Sequence, residues 1–222
     1  VYWLRCNEGT GNPVDSVGAV NGTITGATWV ESLTDRSPNA YPIRTFGSPA
    51  WSNQGRTLAL NKYGIVISPA LNFTTSDFSG WAWVKTTNLT ITSMVLCRGI
   101  NVNDGWYFFY NLNGALVFCT VQAGDNQQSF SNNAAVVTNT WYMLGFTRAG
   151  AVGKVWKNGV NVTTTSASHI SSTTSSRTLK IGAYDDLTLA VIGTIGEVGI
   201  HSRALTQAEI TQIYDTTKGR YI

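Results

Sequence analysis

The acidic and histidine side chains are the groups that could carry out catalysis, and their spacing does not favour it. A retaining glycosidase needs two carboxyl groups about 5–5.5 Å apart, one as acid and one as nucleophile. Asp185 and Asp186 are adjacent, so in a strand they would face opposite sides. His169 is expected to be a plain surface residue, and His201 a structural residue. The sequence has no Gly-x-Ser-x-Gly elbow, phosphate-binding loop or Cys/His zinc spacing, so we expect no enzyme activity.

Loop side chains with oxygen atoms are the candidates for metal binding. Calcium takes six to eight oxygen ligands, mostly carboxylates and backbone carbonyls. Asp15 lies in an Asp-Ser loop, and Asp104 follows Asn101 and Asn103 in a second loop. These residues make Ca²⁺ the candidate cofactor. The alternative is ordinary turn chemistry, in which Asx side chains bond to nearby backbone groups.

Aromatic residues in loops are the candidates for sugar binding, because sugar rings stack their C–H faces on exposed aromatic rings. Trp106 opens a predicted strand directly after the Asn-rich loop, which makes it the best candidate for such a stacking residue. The predicted ligand-binding set is Trp106, Asp104, Asn103, Trp51, Tyr184 and Asp185. Trp81 and Trp83 share one face of another strand, and we expect them in the core between two sheets.

Composition indicates a β-protein that works outside the cytoplasm. The 222 residues are 43% hydrophobic and only 12% charged, about half the usual charged share. The net charge is +3 and no Lys/Arg cluster occurs, so nucleic-acid binding is not expected. No apolar run reaches the roughly 18 residues that span a bilayer, so membrane insertion is not expected either.

Short segments in which apolar and polar residues alternate, separated by turns, must position these residues. The pattern predicts an antiparallel sandwich, with strands that include 57–67, 78–85, 106–112 and 141–148. Two Asn-Gly pairs, Asn113-Gly114 and Asn158-Gly159, predict hairpins with type I′ turns. The stretches 31–53 and 166–176 lack periodicity and are expected to be loops.

One short helix is predicted near the C-terminus. Thr206 is a suitable N-cap, and Glu209 three residues later completes a capping box. Leu205 and Ile210 occupy the positions of a hydrophobic staple, and Gly219 is expected to end the helix.

The three cysteines are expected to be buried free thiols. Cys97 and Cys119 flank a predicted middle strand, which places them two strand spacings apart, roughly 9–10 Å. A disulfide needs Cα atoms within about 7 Å.

Four segments, taken in order, resemble laminin G-like domains of the concanavalin A-like jelly-roll type. They are WLRCNEGTGNPVDSVGAVNGTITGATWV, FSGWAWVKT, WYMLGFTRAGAVGKVWKNGVNV and IGEVGIHSRALTQAEITQIYDTTKGRY. The resemblance covers nearly the whole chain. It implies an all-β fold, a two-sheet antiparallel jelly-roll β-sandwich with one short C-terminal helix, and a single domain over residues 1–222.

The chain departs from the family at two places. The family often has Ile-Asp-Glu-Val where this chain has Gly196 in place of the aspartate, and the Asp-Ser loop carries Ala19 and Val20. Both departures weaken a calcium site inferred by analogy. The tail resembles endings of bacteriophage and other virion proteins that carry this domain.

These observations leave three functional hypotheses. The first is a glycan-binding, lectin-like adhesion module, extracellular or on a virion surface. The second is a purely structural capsid-decoration or filament subunit, which would form homo-oligomers with neighbouring subunits. The third, a glycosidase or polysaccharide lyase, requires a carboxylate pair or a His/Tyr/Arg cluster that the sequence does not show.

Overall fold

The computed structural model describes residues 4–5, 14–15, 39, 41–52, 54–58, 62–122, 124–170 and 172–222, with backbone alone for 4–5, 14–15, 51–52 and 56–57. In chain order the strands are β1 Leu4–Arg5, β2 Val14–Asp15, β3 Ile43–Phe46, β4 Ala50–Ser52, β5 Gly55–Leu58, β6 Tyr63–Val66, β7 Phe78–Thr86, β8 Ser93–Ile100, β9 Asp104–Tyr110, β10 Leu116–Gln122, β11 Asp125–Ser131, β12 Tyr142–Ala149, β13 Val152–Lys157, β14 Val160–Asn161, β15 Thr163–Ser166, β16 Leu179–Ile181 and β17 Gly193–His201. The helix α1 spans Gln207–Thr217.

Two large antiparallel sheets form the sandwich. One has eight strands in the order β15-β11-β10-β9-β8-β16-β6-β3, and the other has seven in the order β14-β13-β12-β7-β17-β5-β4. β1 and β2 pair separately. The predicted all-β jelly-roll sandwich with one short C-terminal helix is therefore confirmed.

Aromatic side chains fill the space between the two large sheets. Phe118 and Phe146, from opposite sheets, stack with ring centroids 4.4 Å apart, and Phe78 meets both edge-on. Each ring is fully buried or nearly so. Burying one such side chain contributes roughly 1.5–3 kcal/mol, so these contacts hold the sheets together.

A second apolar cluster lies on the outer face of the seven-stranded sheet, under α1. Trp81 and Trp83 face this cluster, while Ala82 faces the space between the sheets. The predicted alternation is thus confirmed, but the expected position of the two tryptophans between the sheets is wrong. The C-terminal segment, including Leu205 and Ile210, covers these two tryptophans.

The helix begins as predicted. Thr206 Oγ1 accepts from the backbone N–H of Glu209, and the Glu209 carboxylate accepts from the backbone N–H of Thr206. Gly219 does not end the helix with a left-handed residue. The chain instead continues as a 3₁₀ turn over Lys218–Arg220. Among the described residues no helix is long and apolar enough to span a membrane.

The two Asn-Gly hairpins differ from each other. Asn158 and Gly159 both have positive φ, 50° and 82°, as a type I′ turn requires. Only Gly114 of the other pair does, at 70°, and its N–H bonds to the Asn111 carbonyl. That connection is a type I turn followed by a left-handed glycine, so the predicted type I′ turn there is wrong.

Several expected loops contain strands or buried residues. The stretch 31–53 supplies the edge strands β3 and β4. In the Ser/Thr-rich stretch, Ser172 and Ser175 are buried, and Ser172 donates to the Phe73 carbonyl at 2.8 Å. Cys6 lies outside the described residues. Cys97 and Cys119 are buried free thiols that flank Tyr107, as predicted.

Candidate functional site

Four of the predicted ligand-binding residues come together at one end of the eight-stranded sheet. Asn103 and Asp104 belong to the β8–β9 turn, and Tyr184 and Asp185 belong to the loop after β16. We call this group, with Asn101 and Asn126, the turn cluster. The backbone N–H of Asn101 donates to the Tyr184 hydroxyl at 2.6 Å, which fixes the two loops against each other.

The carboxylates of the turn cluster are neutralised by cations of the same chain. Asp185 forms ion pairs with both Arg177 and Lys180. Asp104 Oδ2 lies 3.5 Å from Arg177 Nε, and its Oδ1 accepts from the backbone N–H of Ile100 at 3.2 Å. Both carboxylates therefore have partners within the fold.

The turn cluster does not fit calcium. Asn101 Oδ1 already accepts from the Tyr107 hydroxyl at 3.1 Å and from the Asn126 amide. The guanidinium beside Asp104 would repel a dication. Among the described residues no group of three or more Asp, Glu, His or Cys side chains could hold a metal ion. The calcium site expected at Asp104 is not supported by these contacts.

Tyr184 is half-buried. Its ring meets Tyr107 edge-on, with centroids 6.3 Å apart. Burial raises the pKa of its hydroxyl. The turn cluster thus connects two loops, and most of its polar atoms already have partners within the chain.

Trp106 lies in the core and has no exposed surface. Its Nε1 donates to the Leu71 carbonyl at 3.1 Å, and its ring packs against Phe78 and Phe146. The expectation that it stacks on a sugar is wrong, because the residues of β9 alternate and Trp106 falls on the inward face. Trp51 lies on edge strand β4 of the other sheet and Asp15 on β2, but their side chains are outside the described part.

Sequence reasoning missed a groove on the outer face of the seven-stranded sheet. The groove has a volume of about 400 Å³, a size typical of small-ligand sites. Its floor is formed by β12 and β13, and its walls by β14 and the segment 204–207. The lining residues are Thr147, Ala149, Val152, Lys154, Trp156, Asn161, Ala204, Leu205, Thr206 and Gln207.

The strand register places the polar side chains of the floor together. Thr147 lies directly opposite Lys154, and Trp156 lies opposite Asn161. Trp156 Nε1 donates to Thr147 Oγ1 at 3.1 Å. Ala149 and Val152 form an apolar pair at the other end. Alternation along β13 could have placed Lys154 and Trp156 on one face, but nothing in the sequence indicated that the C-terminal segment would stop beside them.

Hydrogen bonds fix the wall formed by the C-terminal segment. Ser79 Oγ donates to the Arg203 carbonyl and accepts from the Leu205 N–H, both at 2.8 Å. Thr211 Oγ1 and the Gln207 amide both donate to the carbonyl of Gly159 in the β13–β14 turn. The groove is therefore held in shape without a ligand, which lowers the entropic cost of binding.

His169 is buried at one edge of the sandwich, where a surface position was expected. Its Nδ1 lies 2.9 Å from Thr120 Oγ1, and its Nε2 lies 2.8 Å from Ser129 Oγ. Arg148 donates to its carbonyl. Burial, with Arg148 as a second cause, lowers the pKa of its imidazole to about 4.

Ser129 belongs to a small network of polar groups around His169. Its hydroxyl lies 3.0 Å from the Gly153 carbonyl and 2.8 Å from the Ser166 hydroxyl, in addition to its contact with Nε2 of His169. Both Ser129 and His169 are fully buried.

Comparison with known proteins agrees with this architecture. A family model described as the concanavalin A-like lectin/glucanases superfamily matches residues 60–211, well over half of the chain. The chain belongs to this superfamily. No curated protein sequence matches it significantly.

Solved structures similar to this member of the concanavalin A-like superfamily include binding domains of toxins. The binding domain of Paraclostridial Mosquitocidal Protein 1 superposes with a TM-score of 0.65 at 15% identity, covering 83% of this chain and 49% of that one. The binding domain of botulinum neurotoxin serotype G gives 0.66 at 15% (82% and 48%), and that of serotype D gives 0.66 at 14% (84% and 49%). The chain thus spans about half the length of these domains, and the likeness is one of fold.

Proposed function

We propose that this chain is a non-catalytic binding module that takes a saccharide in the groove beside α1. The observation that carries the proposal is the groove itself, a concave surface of about 400 Å³ with polar side chains on a rigid sheet. Binding sites of this kind combine apolar surface with a few well-placed polar groups.

The chemistry of the lining suits a saccharide. A sugar presents hydroxyl groups around its rim and C–H groups on its faces. Thr147 and Asn161 offer a hydroxyl and an amide group, whereas the Gln207 NH₂ already donates to Gly159 and Thr211. Ala149 and Val152 offer small apolar surface. The superfamily to which the chain belongs includes lectins, which agrees with such a ligand, although the fold alone does not assign a ligand.

The absence of catalysis is part of the same proposal. No aspartate or glutamate lines the groove among the described residues. Asp104 and Asp185 are held by Arg177 and Lys180, so neither is placed as a free acid or nucleophile. Hydrolysis of a glycosidic bond would need such a pair.

An extracellular or virion-surface location follows from this proposal, with cell-surface or extracellular glycans as partners. Composition supports this, since the surface is polar but poor in charge. The competing hypothesis, a capsid-decoration or filament subunit, predicts self-association and no response to sugars.

The test is a glycan-array screen of the purified protein, with calcium and with a chelator. Val152→Trp should abolish selective binding, because Val152 lines the groove and is 51% exposed, so a larger side chain fills the groove without disturbing the core. The matched control is Val160→Trp, at a residue that is 60% exposed and lies outside the groove. An array without binding, together with higher oligomers in size-exclusion chromatography, would replace the proposal with the structural hypothesis.

A further inference from the structure

We propose that the groove prefers saccharides that carry a carboxylate, and that the ammonium group of Lys154 binds it. This inference rests on the proposed function and names the ligand class of the same site. It goes beyond that proposal because the groove described so far would take a neutral sugar equally well.

The first argument is the charge of the groove. Lys154 is exposed and is the only charged residue among those that line it. No described carboxylate forms an ion pair with it. Its charge therefore faces the groove without compensation.

Other cations of β13 and of the C-terminal segment have partners. Arg203 pairs with Glu209 at 2.7 Å, and Lys218 pairs with Asp215 at the same distance. Lys157, on the same strand as Lys154, lies over the ring of Tyr142, 4.5 Å from its centroid. Lys154 differs from these residues because no described carboxylate pairs with its ammonium group, which lies at the groove.

The second argument is the hydrogen-bonding capacity of its neighbours. The Thr147 hydroxyl already accepts from Trp156, so it is left with a proton to donate. The Asn161 carbonyl oxygen accepts from the N–H and the hydroxyl of Thr163, at 3.0 and 2.7 Å. Its amide NH₂ is the group left for a ligand.

These two groups and Lys154 together provide three donors. A carboxylate accepts hydrogen bonds and does not donate them, so it complements this set. A sugar hydroxyl, which both donates and accepts, uses the same set less well. The geometry therefore favours an acidic sugar, such as a uronic or sialic acid, over a neutral one.

The experiment uses paired ligands, namely oligosaccharides of uronic and sialic acids and their methyl esters, in which the carboxyl group is uncharged and carries one added methyl group. Native protein should bind the acids about 2- to 5-fold more tightly than the esters, the size expected for one exposed ion pair. This preference should shrink as salt concentration rises.

Variants assign the preference to one residue. Lys154→Gln should remove the preference for the acids, so that acids and esters bind the variant with equal affinity. Lys157→Gln, on the same strand but outside the groove, should retain the preference. Equal binding of acids and esters by native protein, or a preference that survives in Lys154→Gln, would overturn the inference and leave the proposed function standing. If neither acids, esters nor neutral glycans bind, the proposed function fails as well.

Discussion

The ring of Tyr221 lies directly on Gly196. A Cβ built on Gly196 would come within 2.5 Å of the ring, and the Tyr221 hydroxyl accepts from the backbone N–H of the next residue, Glu197, at 2.8 Å. The ring also stacks on Trp83 at 4.4 Å. This explains the glycine where related domains often carry aspartate, because a longer side chain would displace the tyrosine that closes the tryptophan cluster.

Replacing this glycine should therefore destabilise the protein. We expect Gly196→Ala to lower the free energy of unfolding by about 1–3 kcal/mol, the usual cost of overpacking. Guanidinium denaturation followed by tryptophan fluorescence measures it. Gly219→Ala is the control, since nothing lies within 4 Å of a Cβ there. Equal stability of the two variants would contradict the packing argument.

Stability should fall on acidification because of His169. Its imidazole titrates near pH 6.5 when unfolded and near pH 4 when folded. Between these values the unfolded chain binds more protons than the folded protein. The contribution of neutral His169 to the free energy of unfolding is therefore complete above about pH 6.5 and is lost as the pH falls to about 4. The total loss is about 3 kcal/mol.

Urea midpoints measured between pH 7.5 and pH 4.5 test this expectation. His169→Gln should flatten the dependence on pH, whatever its stability at neutral pH. His201→Gln is the comparison variant, at a half-buried histidine whose pKa is also lowered by burial. An unchanged slope in His169→Gln would refute the assignment.

Trp106 should matter for stability and not for ligand binding. Trp106→Phe removes the hydrogen bond to Leu71 and leaves space in the core, so we expect a loss of about 1–3 kcal/mol. Binding on the glycan array should remain unchanged under conditions where the variant is folded. Selective loss of binding at unchanged stability would show that the residue contacts the ligand after all.

The buried thiols should not react in the native protein. Burial is the main cause that raises the pKa of both Cys97 and Cys119 to about 12, and the thiolate is the reactive form. In a Cys6→Ser background, a chromogenic disulfide reagent at pH 8 should detect no thiol until denaturant is added, and two afterwards. Rapid labelling without denaturant would mean that the sheet opens locally.

The sequence predicted those features that depend on local patterns. The capping box at Thr206, the left-handed Asn158-Gly159 turn and the alternation of Trp81 with Ala82 all follow from neighbouring residues. Strand β11 was missed because its inward positions are polar. Ser129 is buried there against His169. The Ser131 hydroxyl is buried as well and accepts a hydrogen bond from the backbone N–H of Leu116.

The site was less predictable than the fold. The turn cluster contains Asp104, Tyr184 and Asp185, which were candidates for ligand binding, but the sequence gives no sign that Arg177 and Lys180 occupy its carboxylates. Trp106 was misplaced because the face of β9 that points inward depends on the opposite sheet. The groove depends on where the C-terminal segment lies across β12 and β13, which is a long-range property that no local pattern encodes.

The pairing of β7 also governs the order in which the molecule can fold. β7 has β12 on one side and β17 on the other, and β5 joins the sheet only through β17. During synthesis the β4–β5 pair must therefore wait for β17, which is made well over a hundred residues later. Such distant pairings slow folding, and until they form, both apolar faces of β7 are open to unwanted association.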